Sequence, residues 1–157
     1  MKLSLFCIGK LSAAWLRDGA EDYHKRIGRY LPCNITELKE CKQGKKADSR
    51  RIIELEGEQL LARITPGAYT VALDEKGKLF DSEQLAHFIE RHMLEGAPEI
   101  AFVIGGPYGL SRDVKQRADM TLSLTPMTLT HQMARLLLFE QVYRAMTILR
   151  NEPYHNR

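Results

Sequence analysis

Two loops of this 157-residue chain carry residue types that suit a small-ligand site, and the first is rich in glycine. An apolar run at 100–104 leads directly into Gly105-Gly106-Pro107-Tyr108-Gly109. Glycine lets a backbone approach a ligand closely or take a positive φ, so such a loop either binds a ligand or forms an ordinary tight turn. The pattern is neither the G-x-G-x-x-G fingerprint nor a Walker A loop, and it does not indicate a dinucleotide or triphosphate site.

The second candidate loop is rich in hydroxyl groups and reads Ser-Leu-Thr-Pro-Met-Thr-Leu-Thr from Ser123 to Thr130. Its hydroxyls and backbone amides could hold a small polar ligand, while Leu124, Met127 and Leu129 could enclose an apolar ring. Because Ser and Thr also favour helix starts, a capping segment is the alternative. The strand end at Leu73-Asp74 is expected near both loops if the three strands are neighbours.

Signatures of other chemistries are missing from the sequence. His87 and His92 do not have the spacing of an H-E-x-x-H zinc site, so we predict no metal centre and place His92 on a helix surface. The segment Gly109-Leu110-Ser111 lacks the nucleophile elbow of a hydrolase. The three cysteines form no C-x-x-C pair, and reduced thiols are typical of the cytosol.

The two loops belong to a chain in which apolar runs of strand length alternate with segments of helical period. This alternation predicts an α/β fold: a single domain, 1–157, with a mainly parallel sheet of five to six strands and helices on both faces. Strands are predicted at 3–8, 34–38, 69–73, 100–104 and 122–124. The first helix is predicted over about 13–30. The second is predicted to start at a cap, Asp48 or Ser49, and to carry Ile53, Leu60, Leu61 and Ile64 on one face. The remaining three helices are predicted to start at Asp81 or Ser82, at Ser111, and at Thr130 or His131.

The last of these helices is apolar on two sides. One arc is expected to cover the sheet and contains Ala134, Leu138, Phe139, Val142, Ala145, Met146 and Leu149, with Arg135 as its one long polar side chain. The opposite side carries Met133, Leu136, Leu137, Tyr143 and Ile148. Such a helix needs two apolar partners, and a second subunit or burial within the monomer would supply the second. Glu140 and Arg144 lie one turn apart in the favourable order for an ion pair.

The charge balance is mildly basic, with 23 Lys and Arg against 20 Asp and Glu. Two clusters stand out, at 24–29 and 39–51, and they suit a nucleic-acid backbone or, alternatively, a solvated face. The apolar start of the chain is too short for a signal peptide, and no apolar run reaches the roughly 20 residues that span a bilayer. We therefore expect a cytoplasmic protein without a membrane anchor.

Four stretches taken together resemble one specific family. They are 104–111, 124–131, the helix from Arg135 through Arg144-Ala145, and the tail Asn151-Glu152-Pro153-Tyr154-His155. The strand at Lys2-Leu3 and the Gly44-Lys45 loop fit as well. The sequence resembles, over nearly its full length, the ribosomal RNA large-subunit methyltransferase H family of the SPOUT superfamily.

The resemblance implies a fold that ordinary topology rules would exclude, a carboxyl-terminal chain tied into a trefoil knot. It also implies a homodimer that uses S-adenosyl-L-methionine (SAM) to methylate N3 of a pseudouridine in the 23S RNA of the ribosome. The cofactor-binding residues that it implies are Leu73, Gly105, Gly106, Leu124, Thr125, Pro126, Met127, Thr128, Leu129 and Thr130.

Candidates for the catalytic groups are Glu140, Arg144, Tyr154 and His155. The resemblance places Tyr154 and His155 in a tail across the partner's cofactor site, whereas a frayed terminus is the alternative. Arg144 is expected to hold a phosphate or the Glu140 carboxylate. Phosphates of the RNA are expected to contact Lys45, Lys46, Arg50 and Arg51.

Two other functions remain compatible with the sequence. One is a non-catalytic RNA-binding or ribosome-assembly factor, which would bind RNA without binding SAM. The other is a SAM enzyme that acts on a different nucleotide, such as a transfer-RNA ribose.

Overall fold

The computed structural model describes residues 1–42 and 48–156. The Gly44-Lys45 motif and the predicted phosphate contacts Lys45 and Lys46 lie outside these ranges.

The predicted alternation of strands and helices is confirmed. In chain order the elements are β1 (Lys2–Ile8), α1 (Ala14–Ile27), β2 (Cys33–Leu38), α2 (Ser49–Leu61), β3 (Tyr69–Leu79), α3 (Ser82–Leu94), β4 (Glu99–Ile104), α4 (Arg112–Arg117), β5 (Met120–Ser123) and α5 (His131–Leu149). The largest difference is in β3, which continues to Leu79 instead of ending at Leu73. An irregularity allows this, since pairing with β5 breaks after Leu73 and resumes at Lys78.

Within the described ranges, five strands form a parallel sheet in the order β2-β1-β4-β3-β5. Every residue of β4 is buried, as expected for a strand with both faces covered. All strands point the same way, so the loops that follow β1, β3, β4 and β5 meet at one edge of the sheet. The threading of a trefoil knot stays a prediction.

Helices cover both faces of the sheet, as predicted. On one face α1, α3 and α5 pack on Ile100, Phe102 and Ile104 of β4, and on the other α2 and α4 pack on Ala101 and Val103. Because successive side chains of β4 point to opposite faces of the sheet, the core is divided into two layers.

Four helix starts predicted from the sequence are capped by the expected side chains. The Asp81 side chain accepts a hydrogen bond from the amide of Gln84, and the side-chain oxygen of Gln84 accepts one from the amide of Asp81, which together form a capping box. Asp48, Ser111 and Thr130 cap α2, α4 and α5.

Two side-chain placements differ from the sequence-based prediction. The face of α2 that packs inward contains Ile52 and Glu56, which were not predicted, whereas the predicted Ile53 is only half-buried. The predicted core positions of Leu60 and Ile64 are confirmed, and Leu61 packs against the same cluster. His92 was expected on the surface, but it is buried: Nδ1 lies 2.8 Å from the carbonyl oxygen of Phe88, and the ring packs 4.3 Å from that of Tyr69. His92 continues the inward stripe of α3, and its ring nitrogen is satisfied by the backbone.

The chain itself covers part of the second apolar face of α5. Met133, Leu136, Tyr143 and Ile148 are half-buried, because α1 and α3 flank the helix. The monomer thus buries part of this face, and the prediction that a second subunit covers the rest stays a prediction. No helix of the described ranges is both long and apolar enough to cross a bilayer.

Arg135 is a buried charged residue of α5, with 2% of its surface exposed. Its guanidinium donates to a carboxylate oxygen of Glu37 at 2.6 Å and to the carbonyl oxygen of Gly9 at 2.8 Å. These bonds tie the start of α5 to the ends of β1 and β2, at the sheet edge where the loops meet.

We expect Arg135→Ala to lower the free energy of unfolding by about 2–4 kcal/mol, because the Gly9 carbonyl and Glu37 both lose their partner. Urea unfolding measures this difference. The matched control is Arg29→Ala at an exposed position, which should change stability by no more than about 0.5 kcal/mol. Equal effects of the two substitutions would contradict the assigned role of Arg135.

Candidate functional site

A cavity of about 1070 Å³ opens at the carboxyl edge of the sheet, where the loops after β1, β3, β4 and β5 meet the start of α5. Of the ten residues predicted to bind a cofactor, nine line this cavity: Leu73, Gly105, Gly106, Leu124, Thr125, Met127, Thr128, Leu129 and Thr130. Pro126 does not line it and is exposed between two residues that do. The structure therefore brings together three segments that are far apart in the sequence.

The glycine loop is both a tight turn and a wall of the cavity. The amide of Gly109 donates to the carbonyl of Gly106 at 3.0 Å, and Gly109 has a φ of +88°. A Cβ atom on Gly105 would lie 2.6 Å from the backbone of Gly109, which is too close for any side chain. Gly105 is therefore required by the close approach of two backbone segments.

Glu56 of α2 lies beneath this loop. A Cβ atom on Gly106 would meet the Oε2 atom of Glu56 at 2.7 Å. The pKa of the Glu56 carboxyl lies above its ordinary value, mainly because the group is buried and in part because of the nearby charge of Glu40. A hydrogen bond donated by the amide of Cys41 opposes this increase. Among the described residues, Oε2 has no hydrogen-bond partner. The glycine loop thus rests on a buried carboxyl group whose pKa lies above its ordinary value.

In the second loop, the hydroxyl groups bond mainly within the protein. Ser123 Oγ donates to the carbonyl of Thr125 at 2.8 Å, and Thr128 Oγ1 donates to Glu75 at 2.7 Å. Thr130 caps α5, so the capping interpretation is confirmed for that residue. The apolar side chains Leu124 and Leu129 are left to form the inner wall.

The cavity rim carries an ion pair that the sequence analysis did not identify. Lys115 Nζ lies 2.5 Å from a carboxylate oxygen of Asp74. Burial alone would raise the pKa of Asp74, but the hydrogen bond from Lys115, the amide of Lys76 and the charges of both lysines outweigh it, so the pKa lies below its ordinary value. Asp74 and Glu75 therefore add negative charge to the cavity mouth.

The loop after β1 is the larger omission of the sequence analysis. Ser12 of this loop lines the cavity, together with Trp15 and Leu16 in the first turn of α1 and His131 and Gln132 at the start of α5. The sequence analysis could have predicted these residues, because ligands bind beyond the carboxyl ends of parallel strands and this rule applies to β1 as much as to β4.

The four predicted catalytic residues form a second cluster. Arg144 forms the expected ion pair with Glu140, and its Nη1 lies 3.5 Å from Nδ1 of His155. The hydroxyl of Tyr154 donates to Glu140 at 3.1 Å, and the guanidinium of Arg144 lies 4.7 Å from the centre of the Tyr154 ring. Glu140 and Arg144 together thus hold the tail against α5.

Two tyrosines of the first helical segment also hold the tail. Tyr30 donates to a carboxylate oxygen of Glu152 at 2.5 Å, and the hydroxyls of Tyr23 and Tyr154 lie 3.2 Å apart. Burial and the hydrogen bond to Glu152 raise the pKa of Tyr30 to about 12. Burial, the Tyr23 hydroxyl and the Glu140 charge raise the pKa of Tyr154, which therefore keeps its proton. In this structure the tail is folded onto its own helices rather than frayed.

The tail cluster and the cavity do not share a lining residue within one chain. Ala134 lines the cavity, whereas none of Glu140, Arg144, Tyr154 and His155 does. At 1.5 Å per residue along α5, Glu140 lies roughly 9 Å and Arg144 roughly 15 Å beyond Ala134. Within the described residues no group of His, Cys, Asp and Glu is placed to hold a metal ion.

Comparisons with known proteins agree on one family. Residues 1–155 match a family model described as "Predicted SPOUT methyltransferase". Two relatives carry the name ribosomal RNA large subunit methyltransferase H. The one from Syntrophotalea carbinolica is 56% identical over all of both chains. The one from Trichlorobacter lovleyi is 48% identical over 99% of this chain and all of that one.

Solved structures support the same fold at low sequence identity. A probable methylase family protein from Haemophilus influenzae has a TM-score of 0.57 and 14% identity, over 99% of this chain and 70% of that one. A probable methyltransferase from Bordetella pertussis has a TM-score of 0.54 and 14% identity, over 92% of this chain and 95% of that one.

We expect Tyr30→Phe to loosen the tail, because Glu152 loses the hydrogen bond that it accepts from the phenol. Hydrogen exchange of the Tyr154 amide, which donates to the Glu152 carbonyl at 2.9 Å, should become faster. Tyr69→Phe is the control, since Tyr69 packs on Phe88 and His92, away from the tail. Unchanged exchange in Tyr30→Phe would show that the tail is held by other contacts.

Proposed function

This chain belongs to the SPOUT methyltransferase family, and from this premise we propose that it transfers a methyl group from SAM to N3 of a pseudouridine in 23S ribosomal RNA. We propose further that it acts in the cytoplasm as a homodimer on the assembled ribosome. The name of the relatives supports the choice of large-subunit ribosomal RNA. The observation that carries the proposal is the convergence of Leu73, the glycine loop and 124–130 on one cavity.

The residues of the cavity fit SAM. Leu122, Leu124 and Leu129 offer an apolar wall to the adenine ring, and the side-chain-free backbone at Gly105 and Gly106 allows close contact with a ligand. The carboxylates of Asp74 and Glu75 complement the positive charge of a sulfonium group. The size of the cavity, about 1070 Å³, is sufficient for a nucleoside with an amino-acid side arm.

Held by Leu73, the glycine loop and 124–130, SAM would supply an electrophilic methyl group for N3, with the N3 proton going to a base and S-adenosylhomocysteine as the product. The protein contributes mainly by positioning, because the two reacting atoms must lie in line at close range. Apolar walls exclude water from the reacting groups. The proton that leaves N3 requires an acceptor near the cavity mouth.

The tail residues are proposed to complete this site from the partner subunit. Within one chain these residues do not line the cavity, whereas in a two-fold dimer the tail of each subunit would reach the cavity of its partner. The phenol of Tyr154 keeps its proton and so acts as a donor, whereas His155 has the side-chain type that most often serves as a general base. Arg144 is held by Glu140 and would neutralise a phosphate or a developing negative charge.

Recognition of the RNA would rest on phosphate contacts and on the shape of the ribosome. Arg50 and Arg51 are exposed on the first turn of α2, where they could reach phosphates. Binding should then weaken steeply with added salt.

The direct test uses large ribosomal subunits from a strain that lacks the gene. Incubation with the purified protein and SAM should add a methyl group to a pseudouridine, which mass spectrometry of the digested RNA identifies. Methylation confined to another nucleotide, or to transfer RNA, would refute the proposed substrate. RNA binding without any SAM binding by calorimetry would refute the enzyme itself.

We expect Gly105→Ala to weaken SAM binding at least about tenfold, because the new Cβ atom would force the backbone of the glycine loop apart. Isothermal titration calorimetry measures the affinity, and circular dichroism checks that the variant folds. Gly28→Ala is the matched control, since Gly28 has a helical φ of −58° and lies outside the cavity. Full SAM affinity in folded Gly105→Ala would place the cofactor elsewhere.

We expect His155→Ala to lower methylation of ribosomes strongly while the affinity for SAM stays within about twofold of wild type, because the proposed role of His155 is to accept the N3 proton of the substrate rather than to hold SAM. Mixing this variant with Gly105→Ala then tests whether the tail acts on the partner. Random assortment should restore up to roughly one quarter of wild-type activity, since about half of the dimers are mixed and each has one intact site. No recovery would assign the tail to its own cavity or to no role.

A further inference from the structure

Trp15 is the single tryptophan of the chain, and it lies open to solvent at the mouth of the cavity. Its side chain is 63% exposed. Among the described residues, its indole has no hydrogen bond, ring contact or cation–π contact. An indole carries a large apolar surface, so such exposure at a ligand site calls for an occupant.

Trp15 lies in the first turn of α1, and the segment that leads into this turn is held in place from two sides. Arg17 donates from Nη1 to the carbonyl oxygens of Leu11 and Ser12, at 3.2 and 2.7 Å. The side-chain oxygen of Gln132 accepts hydrogen bonds from the amide and the hydroxyl of Ser12, at 2.9 and 3.1 Å. The segment before α1 is thereby fixed against both α1 and α5. The indole is therefore exposed on a helical turn that directly follows an anchored segment, so its position is preorganised for contact with a ligand.

The reaction geometry indicates what this surface would contact. The lone pair of a ring nitrogen lies in the plane of the base, so the base must direct its edge at the methyl group. Both faces of the base are then free to stack. Aromatic side chains are the usual partners for unpaired bases in RNA recognition.

We propose that the indole of Trp15 stacks on the face of the nucleobase that accepts the methyl group. This inference rests on the proposed function. The group that covers the indole is thus an unpaired base of the RNA. We assign it to the base that accepts the methyl group, because this base must reach the cavity. Lys10 precedes the anchored segment and Lys76 lies on the cavity rim, where both are exposed and could meet the flanking phosphates.

Steady-state methylation of large ribosomal subunits tests the proposal. Trp15→Ala should lower kcat/KM for the ribosomal substrate by roughly tenfold or more, the effect expected for loss of one stacked base. Trp15→Phe should recover most of this loss, because a smaller ring still offers a stacking face. The affinity for SAM should stay within about twofold of wild type in both variants. Leu94→Ala is the control, since Leu94 is 82% exposed at the far end of α3 and outside the cavity.

Fluorescence of the same residue gives a readout that does not depend on turnover. With S-adenosylhomocysteine bound, pseudouridine 5′-monophosphate should quench the tryptophan emission, whereas ribose 5-phosphate should not. Because Trp15 is the single tryptophan, the signal reports on this site alone.

Three results would overturn the proposal. The first is a kcat/KM for Trp15→Ala equal to that of wild type. The second is a loss of SAM affinity as large as the loss of kcat/KM, which would make Trp15 part of the cofactor wall. The third is a shift of Trp15→Ala from dimer to monomer in sedimentation, which would make Trp15 a contact between copies of this chain. Wild-type protein that never methylates a pseudouridine would refute the proposed function, a result distinct from these three.

Discussion

The close approach of the backbone at Gly105 to that at Gly109 is the constraint on which the cavity depends. A single Cβ atom would lie 2.6 Å from the neighbouring backbone, so the loop exists in this form only without side chains. The loop follows β4, which is buried on both faces and fixed by β1 and β3. The rigid centre of the sheet therefore sets the position of one wall, and the loops after β3 and β5 complete the others from the same edge.

The same edge also fixes where α5 begins. Arg135 joins α5 to the ends of β1 and β2 through Gly9 and Glu37, and Thr130 caps the helix directly after the hydroxyl-rich loop. The helix then carries Glu140 and Arg144 away from the cavity to the surface on which Tyr154 folds back. One helix thus links the cofactor side of the molecule to the tail cluster. Its length also keeps the two apart within a single chain.

The sequence predicted those parts that local patterns determine. Alternating apolar runs predicted five parallel strands, and Asp48, Asp81, Ser111 and Thr130 were found as caps because their side chains bond only a few residues ahead. Burial of Glu56 and His92 was missed, because a periodicity argument assigns polar side chains to the surface. The bonds of Tyr23 and Tyr30 to the tail span 131 and 122 positions, and no local pattern encodes contacts between residues so distant in sequence.

The proposed dimer would divide the work between subunits, because the tail residues Glu140, Arg144, Tyr154 and His155 do not line the cavity of their own chain. The cavity supplies backbone, apolar walls and the carboxylates of Asp74 and Glu75 beside the lysines Lys76 and Lys115, a mixed lining that suits a small polar cofactor. The tail supplies a guanidinium, an imidazole and a protonated phenol, which suit an anionic substrate. Because the two sets lie apart in one chain, bringing them together across a two-fold axis would place the cavity of one subunit beside the tail groups of the other.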